Sequence, residues 1–369
     1  MSTTTNEILR HIADTLGLEF RKVSEIIRAD YRGGIVHPLR EGVDRIVEAD
    51  FTFPGRLISW VTGVGPRPFA GENLNRIAKL RTFAEWQAGT ANRMTARLGS
   101  LDREPTAEDW KSEYWRLVEE RAEYNVRGPS PASADLPQSA TITDDDPNWD
   151  WFGNDVCRHN AEWDDKNKRW VGGQPSLHSL IYDKTAERIL KRFRTDGTAG
   201  DELQNIVHLS DGTKVNGNRL VKGERAKQAA VYLKEWNAHR GFDVSKWAIP
   251  TDKEAMTVTG SEADRQRILQ DAFQQLAEPG EFTPEKWAEV AYKLYQAPQT
   301  KTGSDAVIRT FLAGVAAHRM GWVPAFPHDI DLRAYTMRQQ DFVNCVVDGT
   351  FDRLLLPAGL GVQTRPAAP

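Results

Sequence analysis

The chain is poor in cysteine and has no long apolar run. Only two of its 369 residues are cysteine, Cys157 and Cys345, which excludes a disulfide-stapled scaffold and favours a reducing compartment. No apolar run approaches the roughly 20 residues that a membrane-spanning helix needs, and Met1–Gly17 lacks the basic-then-apolar layout of a signal peptide. The sequence therefore predicts a cytoplasmic protein without a membrane partner.

Several function classes have no signature here. The chain has no Walker loop, no Rossmann glycine fingerprint and no G-x-S-x-G nucleophile motif. Its net charge is −4, which disfavours a globally basic nucleic-acid binder but leaves room for a local basic groove. Cys157 and His159 are too few for a metal site, and the acidic run 144–146 is typical of a solvated loop. We expect neither a metal nor a cofactor.

Helical periodicity dominates the chain, so we predict a mainly α fold with one small β element. The β element is a hairpin near 206–217, two short apolar runs around Asp211-Gly212. Ser261 and Thr283 are placed to cap helices, and Pro284 suits a first helical position. The predicted helices are 6–16, 21–30, 37–47, 72–98, 106–121, 176–194, 224–239, 261–277, 283–296, 304–320 and 332–346.

A change of composition divides the chain. Residues 127–148 are rich in proline, serine and aspartate and nearly devoid of large apolar residues, which predicts a linker or long surface loop. The predicted organisation is an N-terminal helical region over 1–126, a C-terminal helical core over 149–355 and a disordered tail over 356–369.

The segment Pro298–Thr336 is the strongest indication of a catalytic site in the sequence. Lys301 precedes an amphipathic helix, and a proline-bounded turn after that helix carries Asp329 and Asp331. A lysine at a helix start and carboxylates past its end can converge on one cleft, and the helix start beginning at Ser304 can attract an anion. The alternative is a solvated loop between packed helices, in which Asp331 caps the helix that follows.

Here the sequence resembles the helix-hairpin-helix DNA glycosylase superfamily. That family places a catalytic lysine beside a threonine at a helix start, as in Lys301-Thr302. A catalytic aspartate follows in a proline-bearing turn, as Asp331 does, with Arg333 after it and Asp329 as a competitor for the same role. The usual L-P-G-V-G hairpin is absent before Lys301, where YQAPQTKTG stands. The resemblance implies a glycosylase-like helical core and DNA contacts at Thr302 and Arg333.

The resemblance extends to the phage α-glutamyl/putrescinyl-thymine pyrophosphorylases. It implies a thymine-hypermodification transferase that displaces pyrophosphate from an activated 5-hydroxymethyluracil in DNA with an amine or amino acid. Lys301 and the helix start would hold the pyrophosphate, and Asp331 would deprotonate the amine. The partners implied are DNA and a small amine co-substrate. A base-excision glycosylase or lyase is the alternative within the same superfamily.

A second stretch is similar to a helix-hairpin-helix element. In LISWVTGVGPRPFAGENLNRI, the hairpin would be formed by Gly63 and Gly65 between apolar helices, with Arg67 beside it. Hairpin amides of this kind contact DNA phosphates. The alternative interpretation is a glycine- and proline-rich turn between two packed helices.

A rival resemblance covers Leu294–Gly321. Its layout is similar to a Fic-type nucleotidyltransferase core: a helix, an anion-binding loop, and a helix that ends in glycine and an aromatic residue. Pro298 stands where that family has its catalytic histidine, and Gly303-Ser304-Asp305 replaces Gly-Asn-Gly. This resemblance implies a degenerate member of the family, or a non-catalytic helical interaction protein.

Overall fold

The structure is a computed structural model. It describes residues 74–127, 141–155, 158, 161–173, 177–301, 303–321 and 329–348. The helices within these residues are α1 Leu74–Gly99, α2 Ala107–Arg127, α3 Leu177–Thr195, α4 Gly223–His239, α5 Glu262–Ala277, α6 Pro284–Gln296, α7 Ser304–Arg319, α8 Ile330–Thr336 and α9 Gln339–Val347. The strands are β1 Trp149–Phe152, β2 Glu162–Asp164, β3 Arg169–Val171, β4 Glu202–His208, β5 Lys214–Val221 and β6 Ala255–Val258.

The predicted architecture, mainly helical with a small β element, is confirmed. Four strands form an antiparallel sheet in the order β1-β6-β5-β4, and β2 pairs with β3 separately. The predicted hairpin is the β4–β5 pair. Its turn contains Gly212 at φ +84°, a left-handed conformation that residues with a Cβ adopt only with strain.

Local capping chemistry explains where two central helices begin. The Ser261 side chain accepts a hydrogen bond from the Asp264 backbone N–H at 3.2 Å. The Thr283 side chain accepts one from the Lys286 N–H at 3.4 Å, and Pro284 occupies the first position of α6. Both predicted caps are confirmed, and each satisfies an amide that has no partner within the helix.

The prediction of one helix over 332–346 is wrong. Two shorter helices, α8 and α9, are separated by Met337 and Arg338, which have extended backbone angles. The Tyr292 hydroxyl donates to the Met337 carbonyl at 3.1 Å, so α6 satisfies a carbonyl at the break. The apolar periodicity of the sequence continues across Met337 and Arg338, so it does not reveal the break. The break is stabilised by a tertiary hydrogen bond, which leaves no mark on the local sequence.

The helices on both sides of the predicted linker share one hydrophobic core. Trp110 and Tyr114 of α2 pack edge-on against Phe311 of α7, with ring centroids 6.1 and 5.4 Å apart. Met94 of α1 fills the space above Gly314 of α7. The described parts of the predicted N-terminal region and C-terminal core are thus packed together, while residues 128–140 of the predicted linker lie outside the described residues.

The end of the predicted linker is attached to the core. Thr141 forms an isolated antiparallel bridge with Thr300. The buried Arg265 donates to the Ile142 carbonyl at 2.7 Å, and the Asn148 N–H donates to Thr259 at 3.1 Å. These bonds hold residues 141–148 against the loop before α7, against α5 and against the end of β6.

Other predictions lie outside the described residues: the helices at 6–16, 21–30 and 37–47, and the tail at 356–369. No helix within the described ranges is long and apolar enough to cross a membrane.

Candidate functional site

The candidate site is built on the loop between α6 and α7. Every residue of Val290–Gln296 in α6 is buried, so the loop leaves the centre of the core. Gly303 precedes α7 with φ +81°, which a residue with a Cβ would adopt only with strain. The Ser304 hydroxyl donates to the Thr300 carbonyl at 2.6 Å, which closes the loop onto the start of α7.

A buried arginine forms the centre of the site. Arg309 of α7 donates through Nε to both carboxylate oxygens of Asp305, at 2.7 and 2.9 Å. The Tyr295 hydroxyl donates to the same Asp305 at 3.0 Å. Burial lowers the pKa of Arg309, but the charge of Asp305, the strongest of the opposing influences, outweighs this and the pKa is raised. Arg309 therefore stays a cation in a side chain only 2% exposed.

Asp331 faces this arginine from the first turn of α8. Its Oδ1 lies 3.7 Å from Arg309 Nη2 and has no hydrogen-bond partner within the described residues. Burial, followed by repulsion from Asp305, raises the pKa of Asp331 well above its ordinary value. A buried carboxyl group that favours its neutral form and keeps an unbonded oxygen has the properties of an acid–base group.

Asp329 has a different environment although it is only two residues away. It accepts hydrogen bonds from Arg333 Nε at 2.7 Å and Arg188 Nη2 at 3.2 Å. Burial alone would raise the pKa of Asp329, but the charges and hydrogen bonds of these two arginines lower it below its ordinary value. The buried Asp329 carboxylate is thus held charged between two cations.

The alternative interpretation of this turn has Asp331 as the cap of α8, and that assignment is wrong. The helix begins at Ile330, so the cap position belongs to Asp329. The Asp329 side chain makes no capping hydrogen bond, because both its oxygens are used by arginines. Asp331 instead lies inside the first turn, where its side chain is free to face α7.

Lys301 is engaged by a residue of the predicted linker. Its ammonium group forms an ion pair with Asp146, and the two side chains are 20% and 29% exposed. Lys301 and Asp331 therefore both lie near the N-terminal half of α7, but each has its own partner. Arg333, expected to contact DNA, directs its guanidinium at Asp329 and is 15% exposed. Thr302, Gly63, Gly65 and Arg67 lie outside the described residues.

Sequence reasoning missed the residues that connect these groups. Asp305 and Arg309 are four apart on a helix, a spacing that brings side chains into contact, and this spacing was the available signal. Tyr295 lies on the preceding helix, so only the folded chain brings its hydroxyl to Asp305. The burial of Arg309 carries no such signal, since an arginine among apolar residues usually extends to solvent.

Hydrogen bonds connect the β4–β5 hairpin to the same site. The Gln296 side chain accepts from the Asn218 N–H of β5 at 2.9 Å and donates to the Ala334 carbonyl of α8 at 2.7 Å. Asn218 in turn donates to the Tyr335 carbonyl at 3.0 Å. Gln296 thus sets the distance between β5, the end of α6 and the helix that carries Asp331.

No family model matches the chain, and no curated protein matches it in sequence. Within the described residues, no group of three or more His, Cys, Asp or Glu side chains could hold a metal ion. Cys157 and His159 lie outside the described residues. The assignment of a function therefore depends on the chemistry of the site and on the resemblances noted above.

Proposed function

We propose that this protein is a group-transfer enzyme that acts on a DNA base, with Asp331 as its acid–base residue. One observation carries the proposal: Asp331 is buried, its pKa is raised, and its Oδ1 has no hydrogen-bond partner within the described residues. Perturbed carboxyl groups of this kind concentrate at catalytic sites. The geometry supports acid–base chemistry, while the DNA substrate comes from the resemblance around Lys301-Thr302 and Asp331.

The proposed reaction is the displacement of pyrophosphate from an activated 5-hydroxymethyluracil. The amine nitrogen attacks the exocyclic methylene carbon, and the carbon–oxygen bond to pyrophosphate breaks. Asp331, as the carboxylate, takes the proton that the new secondary amine releases. The Lys301 ammonium group leaves Asp146 and forms an ion pair with the departing pyrophosphate. Pyrophosphate carries more negative charge than a single carboxylate and therefore attracts the ammonium group more strongly.

The buried cation has a defined part in this scheme. Arg309 faces Asp331 at 3.7 Å but donates its short hydrogen bonds to Asp305. It therefore stabilises the Asp331 carboxylate only in part, which leaves that group basic enough to accept a proton. Asp305 is a positioning residue that holds Arg309.

Amine incorporation into DNA tests the proposal. Purified protein is supplied with DNA containing pyrophosphorylated 5-hydroxymethyluracil and with a radiolabelled amine, and label in the DNA is counted. We expect label with the wild-type chain and at least a 100-fold loss with Asp331→Asn. Unchanged incorporation in Asp331→Asn would remove the role proposed for this residue. A borohydride-trapped adduct through Lys301, with no incorporation, would favour the glycosylase or lyase activity instead.

A second candidate, a degenerate Fic-like or non-catalytic interaction protein, is favoured by a separate observation. The carboxylate of Asp305 lies in the first turn of α7, at the helix start where the anion-binding loop of such a core would hold phosphate. It is bonded there by Arg309 and Tyr295. A carboxylate at this position repels a phosphate, so this arrangement supports loss of nucleotide binding.

Nucleotide binding separates the two candidates. Isothermal titration with ATP and with inorganic pyrophosphate is performed on the wild-type chain and on Asp305→Asn. The second candidate predicts no binding by the wild type and recovered ATP binding in Asp305→Asn. Pyrophosphate binding by the wild type that is lost in Lys301→Ala would instead support the transferase.

A further inference from the structure

A polar cleft lies apart from the Asp331 site. It is enclosed by the end of α3, the outer side of β4, one face of α6 and the start of α9, and its volume is ≈ 620 Å³. This volume falls within the range of small-molecule sites, about 300–1,000 Å³. Amide side chains contribute much of the lining, among them Gln204, Asn205, Gln339 and Gln340.

One wall of the cleft carries a surplus positive charge. Arg338 Nη2 donates to Asp196 Oδ1 at 2.6 Å, and Arg192 Nη2 donates to Asp196 Oδ2 at 3.2 Å. Two guanidinium groups against one carboxylate leave one positive charge. Arg192 is fixed further by the Asn205 side chain at 2.5 Å, while Arg338 remains 55% exposed.

The α6 side of the cleft carries a negative charge. Glu289 accepts a hydrogen bond from the Gln275 amide at 2.5 Å, and no cation of the described residues forms a salt bridge with it. Lys293, one turn further along α6, is neutralised by Asp271, with 2.6 Å between Nζ and the carboxylate. Lys293 also donates to Ser210 at 3.2 Å, so its charge does not cancel that of Glu289.

We infer that this cleft binds a zwitterionic amino acid, with its carboxylate on Arg338 and its ammonium group on Glu289. Opposite charges within one cleft match a ligand that carries both charges, whereas a simple anion would be repelled by Glu289 and a simple amine by Arg338. Guanidinium groups are the side chains best suited to bind a carboxylate through two hydrogen bonds. The surrounding amides can bond a polar side chain of the ligand. This inference does not rest on the proposed DNA chemistry.

Calorimetry with three related ligands tests the inference. L-Glutamine carries both charges, N-acetyl-L-glutamine lacks the ammonium group, and L-glutamine α-amide lacks the carboxylate. We expect L-glutamine to bind at least tenfold more tightly than either blocked form. Equal binding of all three, or no binding of L-glutamine at millimolar concentration, would overturn the inference.

Two variants test which residue binds which charged group of the ligand. Arg338→Gln should weaken L-glutamine at least tenfold but should not weaken the α-amide, because the α-amide has no carboxylate to place on Arg338. Glu289→Gln should weaken L-glutamine but should not weaken the N-acetyl form, because that form has no ammonium group to place on Glu289. The matched controls are Arg169→Gln and Glu285→Gln, which do not line the cleft and should bind like the wild type. Binding of the N-acetyl form as tight as that of L-glutamine would mean a plain carboxylate site and would contradict the zwitterion.

Discussion

Arg309 and Asp331 face each other between α7 and α8, with 3.7 Å between Nη2 and Oδ1. Asp305, four residues before Arg309 on the same helix, takes the short hydrogen bonds that this arginine makes through Nε. Asp331 is left buried with a weakened counter-charge, so desolvation prevails and the pKa of Asp331 rises. Asp329, with two arginines of its own, has its pKa lowered.

Asp331→Asn should change the pH dependence of stability. Asparagine keeps the shape of aspartic acid but does not titrate. The folded-state pKa of Asp331 is raised, so the stability due to this group is fully present below the unfolded pKa of about 3.9. It is lost as pH rises through the folded pKa. In urea unfolding between pH 5 and 8, the stability of Asp331→Asn relative to wild type should increase with pH.

A constant difference between the two proteins across this range would contradict a raised pKa. The control is Gly99→Ala, which changes no titratable group and where a Cβ would meet nothing within 4 Å, so its difference from wild type should stay constant with pH. The experiment is independent of any DNA substrate.

Asp329→Ala should destabilise the protein by up to about 3–5 kcal/mol at pH 7, because it leaves the partly buried Arg188 and Arg333 without their shared, buried carboxylate. The pKa of Asp329 is lowered in the folded state, so its contribution is present above the unfolded pKa and is lost as pH falls through the folded pKa. Chemical denaturation at pH 7 measures the loss. Asp165→Ala, which removes an exposed ion pair with Lys168, should cost less than about 1 kcal/mol. Similar costs for the two variants would show that the Asp329 cluster is not a buried ionic network.

Removing Asp146 should free Lys301 for a phosphate-bearing substrate. We expect Asp146→Asn to lower the KM for pyrophosphorylated DNA by two- to tenfold, while Lys301→Ala raises it, because the ion pair competes with the substrate for the same ammonium group. Steady-state kinetics at a fixed salt concentration measure both. If both variants raise KM by the same factor, the Lys301–Asp146 ion pair contributes to substrate binding as a pair, and Asp146 does not compete with the substrate for Lys301. Thermal unfolding should show little change in either variant, since the pair is partly exposed.

Gly260→Ala should destabilise the fold by about 1–3 kcal/mol, the usual cost of overpacking. A Cβ at residue 260 would lie 2.7 Å from the Gly217 carbonyl oxygen, and this backbone cannot move without shifting β5. The matched control is Gly99→Ala, where a Cβ would meet nothing within 4 Å. Urea titrations of both variants give the comparison. A Gly260→Ala protein as stable as Gly99→Ala would refute the close approach of the two backbones.

Local chemistry allowed much of the fold to be predicted from the sequence. Apolar periodicity, the caps at Ser261 and Thr283, and the turn at Asp211-Gly212 each act over a few residues, and each is found in the structure. The break at Met337 was missed because it is satisfied by Tyr292, 45 residues away. A hydrogen bond between distant segments leaves no local pattern.

The candidate site was less predictable for the same reason. Lys301, Asp329 and Asp331 could be selected by residue type, but not the partner that each would find. Asp146 came from the predicted linker, and Arg188 from a helix 141 residues before Asp329. The contrast between Asp329 and Asp331 depends on these partners, so their different charge states could not be read from a shared turn. The DNA contacts expected at Thr302, Gly63, Gly65 and Arg67 stay predictions.

The packing of α1 and α2 against α7 has a consequence for a cut chain. A protease that cleaves between residues 127 and 141 would leave two pieces that still share one hydrophobic core. The first piece keeps the contact of Trp110 and Tyr114 with Phe311. The nicked protein should therefore elute as one particle in size exclusion under native conditions and separate only in denaturant. Two fragments expressed from separate genes should then reassemble into the same core.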